Sequence, residues 1–238
     1  MKKRYLTTIC AAIALFSTSI VCAEDSKFEY SIGTDVVSSY VFRGSTLSTG
    51  PSIQPAAEVT YGDFAFGAWG NAGVSDSKVN ELDLYLNYSI AGFSIGATHF
   101  YYFDGVYNDG KASFFGDGTQ TEVMLSYTIS EELPLSLSWY TMVGGGETIG
   151  ENDGTTASTY IELGYSHSLP HDLNLSYVVG VNPWTDEYGT GFRVPNISAR
   201  LDYEITLNDA CSMNAFLQPV YNTITDDFNC VLGCGFWF

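Results

Sequence analysis

Positive charge is scarce in this sequence. Only 9 of its 238 residues are Lys or Arg, against 27 Asp or Glu, for a formal net charge of -18. Three of the nine are Lys2, Lys3 and Arg4, so a chain cut after Ala23 keeps six cations against 27 acids, or -21. No basic patch can be assembled against phosphate from so few, which excludes a nucleic-acid partner. Charged residues of both signs are only 15% of the chain, below the roughly 25% of soluble domains. Beyond the N-terminus no segment approaches 18 consecutive apolar residues, so a second transmembrane helix is excluded. A sustained 3.6-residue period is also missing, which argues against amphipathic helices. Disorder does not follow, because hydrophobic residues make up 45% and aromatics 15%. Much Gly, many aromatics and little Lys describe an all-β chain that meets lipid.

What is present starts with a three-part leader. Lys2-Lys3-Arg4 forms a basic region, Ile9 to Phe16 an apolar core, and Val21-Cys22-Ala23 a small-residue cleavage site. The apolar core is too short for a comfortable span, and polar Ser17, Thr18 and Ser19 follow it. A lipid-anchored reading of Cys22 is weak, because bulky Val21 precedes it. The expected division is therefore a signal peptide over 1–23 and one barrel domain over 24–238.

The rest of the chain alternates with period 2. In 82–90 the apolar residues take every even position; in 121–129 Val123, Leu125, Tyr127 and Ile129 face away from Glu122, Ser126 and Thr128. Tight turns (61–63, 91–92, 130–132, 169–172, 207–209) alternate strictly with longer loops (43–50, 75–78, 104–118, 144–154, 184–191, 222–226). That spacing predicts twelve strands near 28–42, 51–61, 63–74, 79–91, 92–103, 119–130, 133–143, 156–168, 172–183, 192–206, 210–221 and 227–238. A soluble sandwich would turn the apolar face inward. An outer-membrane barrel turns it outward, and it needs an even strand count, alternating short and long connections and aromatic girdles. Tyr40, Phe42, Tyr61, Phe64, Tyr101, Phe103, Tyr221 and Phe228 crowd the strand ends as such girdles do. The expected fold is an antiparallel transmembrane β-barrel of twelve strands with both termini periplasmic.

Two stretches add a resemblance. The final alternation Phe228, Cys230, Leu232, Cys234, Phe236, Phe238 resembles the terminal assembly signal of bacterial outer-membrane barrels, implying insertion by the barrel-assembly machinery with Phe238 as its mark. The opening Asp35-Val36-Val37-Ser38-Ser39-Tyr40-Val41-Phe42-Arg43-Gly44, with Ser52-Ile53-Gln54-Pro55 and Phe66-Gly67-Ala68-Trp69-Gly70, is similar to the TorF-like porins and related outer-membrane proteins. That resemblance implies a small barrel of loosely defined function and brings no catalytic residues.

Chemistry-bearing residues are few. His99 has lipid-facing parity among aromatics, and His167 and His171 straddle a Pro turn where an H-x3-H spacing lacks the helix that would align it on a metal. No zinc spacing, no triad ordering and no cofactor motif stands out, so the chain is expected not to be an enzyme and to hold no metal or cofactor. Gly144, Gly145 and Gly146 read as a loop tip, and the acidic loop residues Asp104, Asp109, Asp117, Glu147, Glu151 and Asp153 as solvated charge. Cys211, Cys230 and Cys234 remain after the leader; the last two are about 13 Å apart on one strand, too far to bridge, while a Cys211–Cys234 bond depends on register. Parity sends Glu29, Asp35, Arg43, Glu58, Asp83, Glu122, Glu162, Arg200, Asp202 and Glu204 into the lumen. Eight carboxylates against two arginines predict a cation-biased passage for small solutes, with Asp83, Glu122 and Glu162 contributing most. The rival expectation is a closed structural or adhesive barrel acting through its extracellular loops; a barrel-rim hydrolase trails both. The sequence carries no signal of oligomeric state.

Overall fold

The computed structural model describes residues 28–74, 79–103, 119–144, 157–186, 189–208 and 210–238. Strand β1 (Phe28–Val37) is followed by two short strands, β2 (Tyr40–Phe42) and β3 (Ser45–Ser48). Then come β4 (Ser52–Tyr61), β5 (Phe64–Gly73), β6 (Glu81–Ile90), β7 (Phe93–Tyr102), β8 (Thr119–Thr128) and β9 (Leu135–Gly144). The chain ends with β10 (Thr159–Leu169), β11 (Leu173–Asn182), β12 (Arg193–Asn208), β13 (Cys211–Asn222) and β14 (Asp227–Trp237). Strands β4 to β14 pair consecutively and antiparallel, and β1 joins β4 to β14, so twelve strands close a barrel and leave β2 and β3 as a separate ribbon.

The alternation in the sequence becomes the two faces of this wall. Every barrel strand presents large apolar side chains outward, among them Ile32, Val59, Phe66, Leu86, Ile95, Leu125, Leu137, Leu163, Val179, Ile197, Leu217 and Leu232. Polar residues of the opposite parity point inward. This is the reverse of a soluble sandwich, whose greasy face would be covered. At the short-turn end Phe28–Tyr61, Phe64–Tyr88 and Phe93–Tyr127 form adjacent ring pairs with centroids 4.4 to 4.8 Å apart. That half-girdle is the amphipathic belt the strand ends were expected to supply.

The predicted first strand, 28–42, is corrected. It stops at Val37: the Ser38 N–H still donates to the Leu232 carbonyl of β14, but the Leu232 N–H donates to the Ser38 hydroxyl in place of its carbonyl, and the chain then leaves the wall. Tyr40 and Phe42 therefore point into the bore and belong to no girdle. Their alternation continues that of β1, so nothing in the pattern marked the departure.

The connection predicted at 43–50 is thus a hairpin. Phe42 pairs with Ser45 across the two-residue turn Arg43-Gly44, with φ of 48° and 86°, the left-handed pair that a tight twisted hairpin demands. Arg43 adopts that region at a steric cost. Gly44 has a second reason to be glycine: a Cβ there would lie 1.9 Å from the Pro195 carbonyl oxygen of β12.

Candidate functional site

The hairpin lies inside the barrel and touches wall strands on opposite sides of the bore. Tyr40 packs on Trp69 of β5 with centroids 5.4 Å apart, and its hydroxyl donates to Glu81 Oε2 of β6 at 2.9 Å. Phe42 meets Phe100 of β7 edge-on at 6.2 Å. Across the bore, Asn222 of β13 donates to the Gly44 carbonyl at 3.3 Å. Asn229 of β14 donates to Thr46 Oγ1 at 3.0 Å and accepts from Ser39 Oγ at 3.2 Å. Ser48 Oγ accepts from the Val79 N–H at 2.9 Å. Each of the three small apolar clusters in the interior includes hairpin or hairpin-root residues, namely Tyr40, Val37 with Val41, and Phe42. A body that engages β5 to β8 and β12 to β14 together spans the bore at its own level.

The tip carries the charge. Arg43 donates from Nη1 and Nη2 to the two oxygens of Glu122 on β8, at 2.6 and 2.8 Å. Its Cζ lies 4.7 Å from the ring centre of Phe42, 4.3 Å from Tyr140 of β9 and 4.6 Å from Tyr160 of β10. Tyr160 is fixed in turn, donating to Glu162 Oε2 at 2.9 Å and accepting from Asn196 Nδ2 at 3.0 Å. A bidentate carboxylate flanked by aromatic faces is the environment a guanidinium prefers.

Below the hairpin, toward the short turns, the inward face is of mixed exposure: Ser94, Ser126, Ser136, Ser212 and Trp237 are buried, and the longer polar side chains reach water. Glu29, Glu58, Asn87, Thr128, Asn174, Ser176, Asp202 and Asn214 are half-buried and Glu204 is exposed, whereas Glu81, Asp83, Gln120, Glu122 and Glu162 at the hairpin level are buried. Glu58 accepts from the Tyr85 hydroxyl at 2.9 Å. Arg200 stands over the Phe216 ring at 3.5 Å and grips Asp202 on its own strand at 2.8 to 3.0 Å. Asp35 is fully buried and accepts from the Trp237 indole at 3.2 Å. The hairpin thus occupies the lumen in the long-loop half of the wall, with the polar vestibule on its short-turn side.

The ten residues that sequence parity sent inward fall in three separate settings. Arg43 and Glu122 meet, and Glu162 reaches the same cluster through Tyr160. Arg200 and Asp202 form a second pair lower down. Glu29, Glu58 and Glu204 line the vestibule, while Asp35 and Asp83 are buried in the wall. Arg43 arrives by way of the hairpin rather than on a wall strand. Sequence reading missed Glu81, a ninth inward carboxylate sharing the parity of Asp83, and it missed the rings of Tyr140 and Tyr160, which alternation alone could have placed inward; Tyr40 it placed outward, with the parity of β1.

Phe238 is half exposed on the lipid-side parity, and its backbone exchanges two hydrogen bonds with Ile32 across the β1–β14 seam. His99 donates or accepts at Thr121 Oγ1, 2.9 Å away, on the outer face. Cys211, Cys230 and Cys234 are free thiols; the register sets Cys234 opposite Ala215 and Cys230 opposite Pro219, so the Cys211–Cys234 bond is not formed. Among the described residues no group of three or more His, Cys, Asp or Glu is placed to hold a metal ion. The leader expected over 1–23, the loop expected over 104–118, Gly145, Gly146 and the acidic residues Glu147, Glu151 and Asp153 lie outside the described residues.

Residues 22–189 match the family described as a bacterial protein of unknown function, Gcw_chp. The chain belongs to that family. The match carries no TorF-like name. No curated protein matches the sequence. Among solved structures, the family member described here is similar to the KdgM porin, with a TM-score of 0.52 at 9% identity over 87% of this chain and 98% of that one. The CymD monoaromatic hydrocarbon channel (TM-score 0.43, 10% identity, 89% and 88% covered) and the P. putida toluene transporter TodX (0.41, 10%, 90% of each) are more distant in shape. At such identities the KdgM likeness carries the barrel fold and no more.

Proposed function

We propose that this Gcw_chp protein is a channel of the bacterial outer membrane, closed at rest by the β2–β3 hairpin, that passes small solutes passively and favours cations. The observation that carries the reading is the vestibule: half-buried acidic side chains inside a wall whose outer face is predominantly apolar lie below a hairpin seated by side-chain hydrogen bonds, one ion pair and a few ring contacts. An outer face of that composition belongs in lipid, and a closed ladder leaves no strand edge unpaired there. The polar seat of the plug has water as an alternative partner, which a dry apolar seal would lack. The opening motif that resembles the TorF-like porins supports the same reading. Export by way of a leader cleaved after Ala23 belongs to this proposal, as does the absence of enzymatic chemistry.

The occupied bore also favours a second reading, a permanently closed barrel whose extracellular loops do the work. Conductance in planar bilayers separates the two. The channel reading expects discrete openings from refolded wild-type protein and longer ones when 40–48 is replaced by a short Gly-Ser linker. Openings confined to the excised form would show that the hairpin is a permanent plug.

A further inference from the structure

The residues around Arg43 form a site that the barrel wall builds for itself. Tyr160 is oriented by Glu162 of its own strand and by Asn196 of β12, neither of which belongs to the hairpin. Gly180 of β11 makes the room, since a Cβ there would fall 1.9 Å from the Tyr160 hydroxyl. Tyr140 stands beside Tyr160 with ring centroids 6.0 Å apart, and Glu122 presents both carboxylate oxygens to the space between. Two aromatic faces and a free carboxylate fork recognise a planar or compact organic cation. In this structure the cation is the chain's own.

Two features mark Arg43 as an imperfect occupant. Its Nε has no hydrogen-bond partner among the described residues, so only part of its donor set is used. It also sits at a positive φ of 48° without being glycine, a conformation that surrounding contacts must hold in place.

We propose that Arg43 is a tethered stand-in ligand, and that Glu122, Tyr140 and Tyr160 form a binding site for solutes bearing a guanidinium or primary ammonium group. Such a solute competes with Arg43 and displaces the hairpin tip. The acidic vestibule concentrates cations on the approach from the short-turn side. The coupling of binding to opening rests on the channel reading; the site itself does not.

The test uses full-length protein refolded in detergent, its fold checked by the shifted gel mobility of the unheated sample. N-Ethylguanidinium is titrated against intrinsic Tyr and Trp fluorescence, with uncharged N-ethylurea as the control of equal shape. Arg43→Ala should bind the guanidinium at least about tenfold more tightly than wild type, because it lacks an intramolecular competitor acting at millimolar effective concentration. Adding Glu122→Gln to Arg43→Ala should abolish that gain. Arg43→Gln repeats the experiment with the length of the tip side chain kept. Equal binding to wild type and variant, binding of the urea as well as the guanidinium, binding indifferent to Glu122→Gln, or no binding in either folded Arg43 variant would each overturn the proposal. Conductance of the same preparations distinguishes the two readings: binding without openings keeps the site and removes the channel, and openings without binding do the reverse.

Discussion

Arg43 and Glu122 stand 79 residues apart in the chain and meet in a two-pronged ion pair in the middle of the barrel, with side chains only 12% and 5% exposed. Breaking such a pair from one side leaves a buried charge alone, at a cost of about 3–5 kcal/mol. The cost in Glu122→Gln falls on the hairpin seat, because β8 keeps its ladder to β7 and β9. The expected outcome is a barrel that still resists unfolding in detergent while its hairpin becomes open to protease and its conductance rises. Arg43→Met combined with Glu122→Met should restore much of the seat, since no charge is then left unpaired; strict additivity of the two single effects in a double-mutant cycle would remove the pairing as the cause.

The wall was legible in the sequence because a strand with one lipid face and one wet face writes its register into every second residue. Glu58, Asp83, Glu122 and Glu162 could be sent inward from parity alone. The hairpin was not legible, because Tyr40 and Phe42 continue the alternation of β1 while serving a different surface. At the end of β1 the Ser38 hydroxyl takes the N–H of Leu232, 194 residues away in sequence, and no local pattern reports such a contact. The same blindness applies to charge pairing: parity sends both Arg43 and Glu122 to the lumen, but nothing local says that they meet.

Gly44 gives a second test of the hairpin seat. Its φ of 86° disfavours any side chain, and a Cβ would collide with the Pro195 carbonyl. Gly44→Val adds a β-branched side chain to a position that penalises even alanine, worth about 1–3 kcal/mol for the strained backbone before the collision is counted. The hairpin should lift from β12 with the barrel intact, seen as hairpin proteolysis at an unchanged heat-modifiable gel shift. A variant as protected as wild type would mean that the tip does not rest on Pro195.

The cysteines make a simpler prediction. Cys234 faces Ala215 and Cys230 faces Pro219 across the β13–β14 ladder, so no pair of thiols lies within disulfide reach. Folded protein purified without reductant should migrate identically with and without it. After denaturation it should take up one alkylating group at each of Cys211, Cys230 and Cys234. Loss of two labelling sites, restored by reductant, would show that the seam register differs.

Ion selectivity is the final test, and the structure moves its origin within the lumen. Sequence parity assigned the largest contribution to Asp83, Glu122 and Glu162. In the closed barrel Glu122 is paired with Arg43 and the other two are buried, so none of them faces the water through which an ion would come. Glu29, Glu58 and Glu204 are the lumen carboxylates that reach the vestibule without an arginine partner, since Arg200 is occupied by Asp202. Charges exposed to a vestibule act on permeating ions over a Debye length, about 10 Å at 0.1 M salt and about 30 Å at 0.01 M. Changing Glu29, Glu58 and Glu204 together to Gln should therefore bring the reversal potential in a salt gradient toward zero, with the larger change at low salt. Asp83→Asn and Glu162→Gln should have the smaller effect while the hairpin is seated, and a larger one in protein lacking 40–48, where water reaches them. A vestibule triple variant as cation-selective as wild type at low salt would show that the ions bypass this cavity, and the acidic vestibule would then have no part in selectivity.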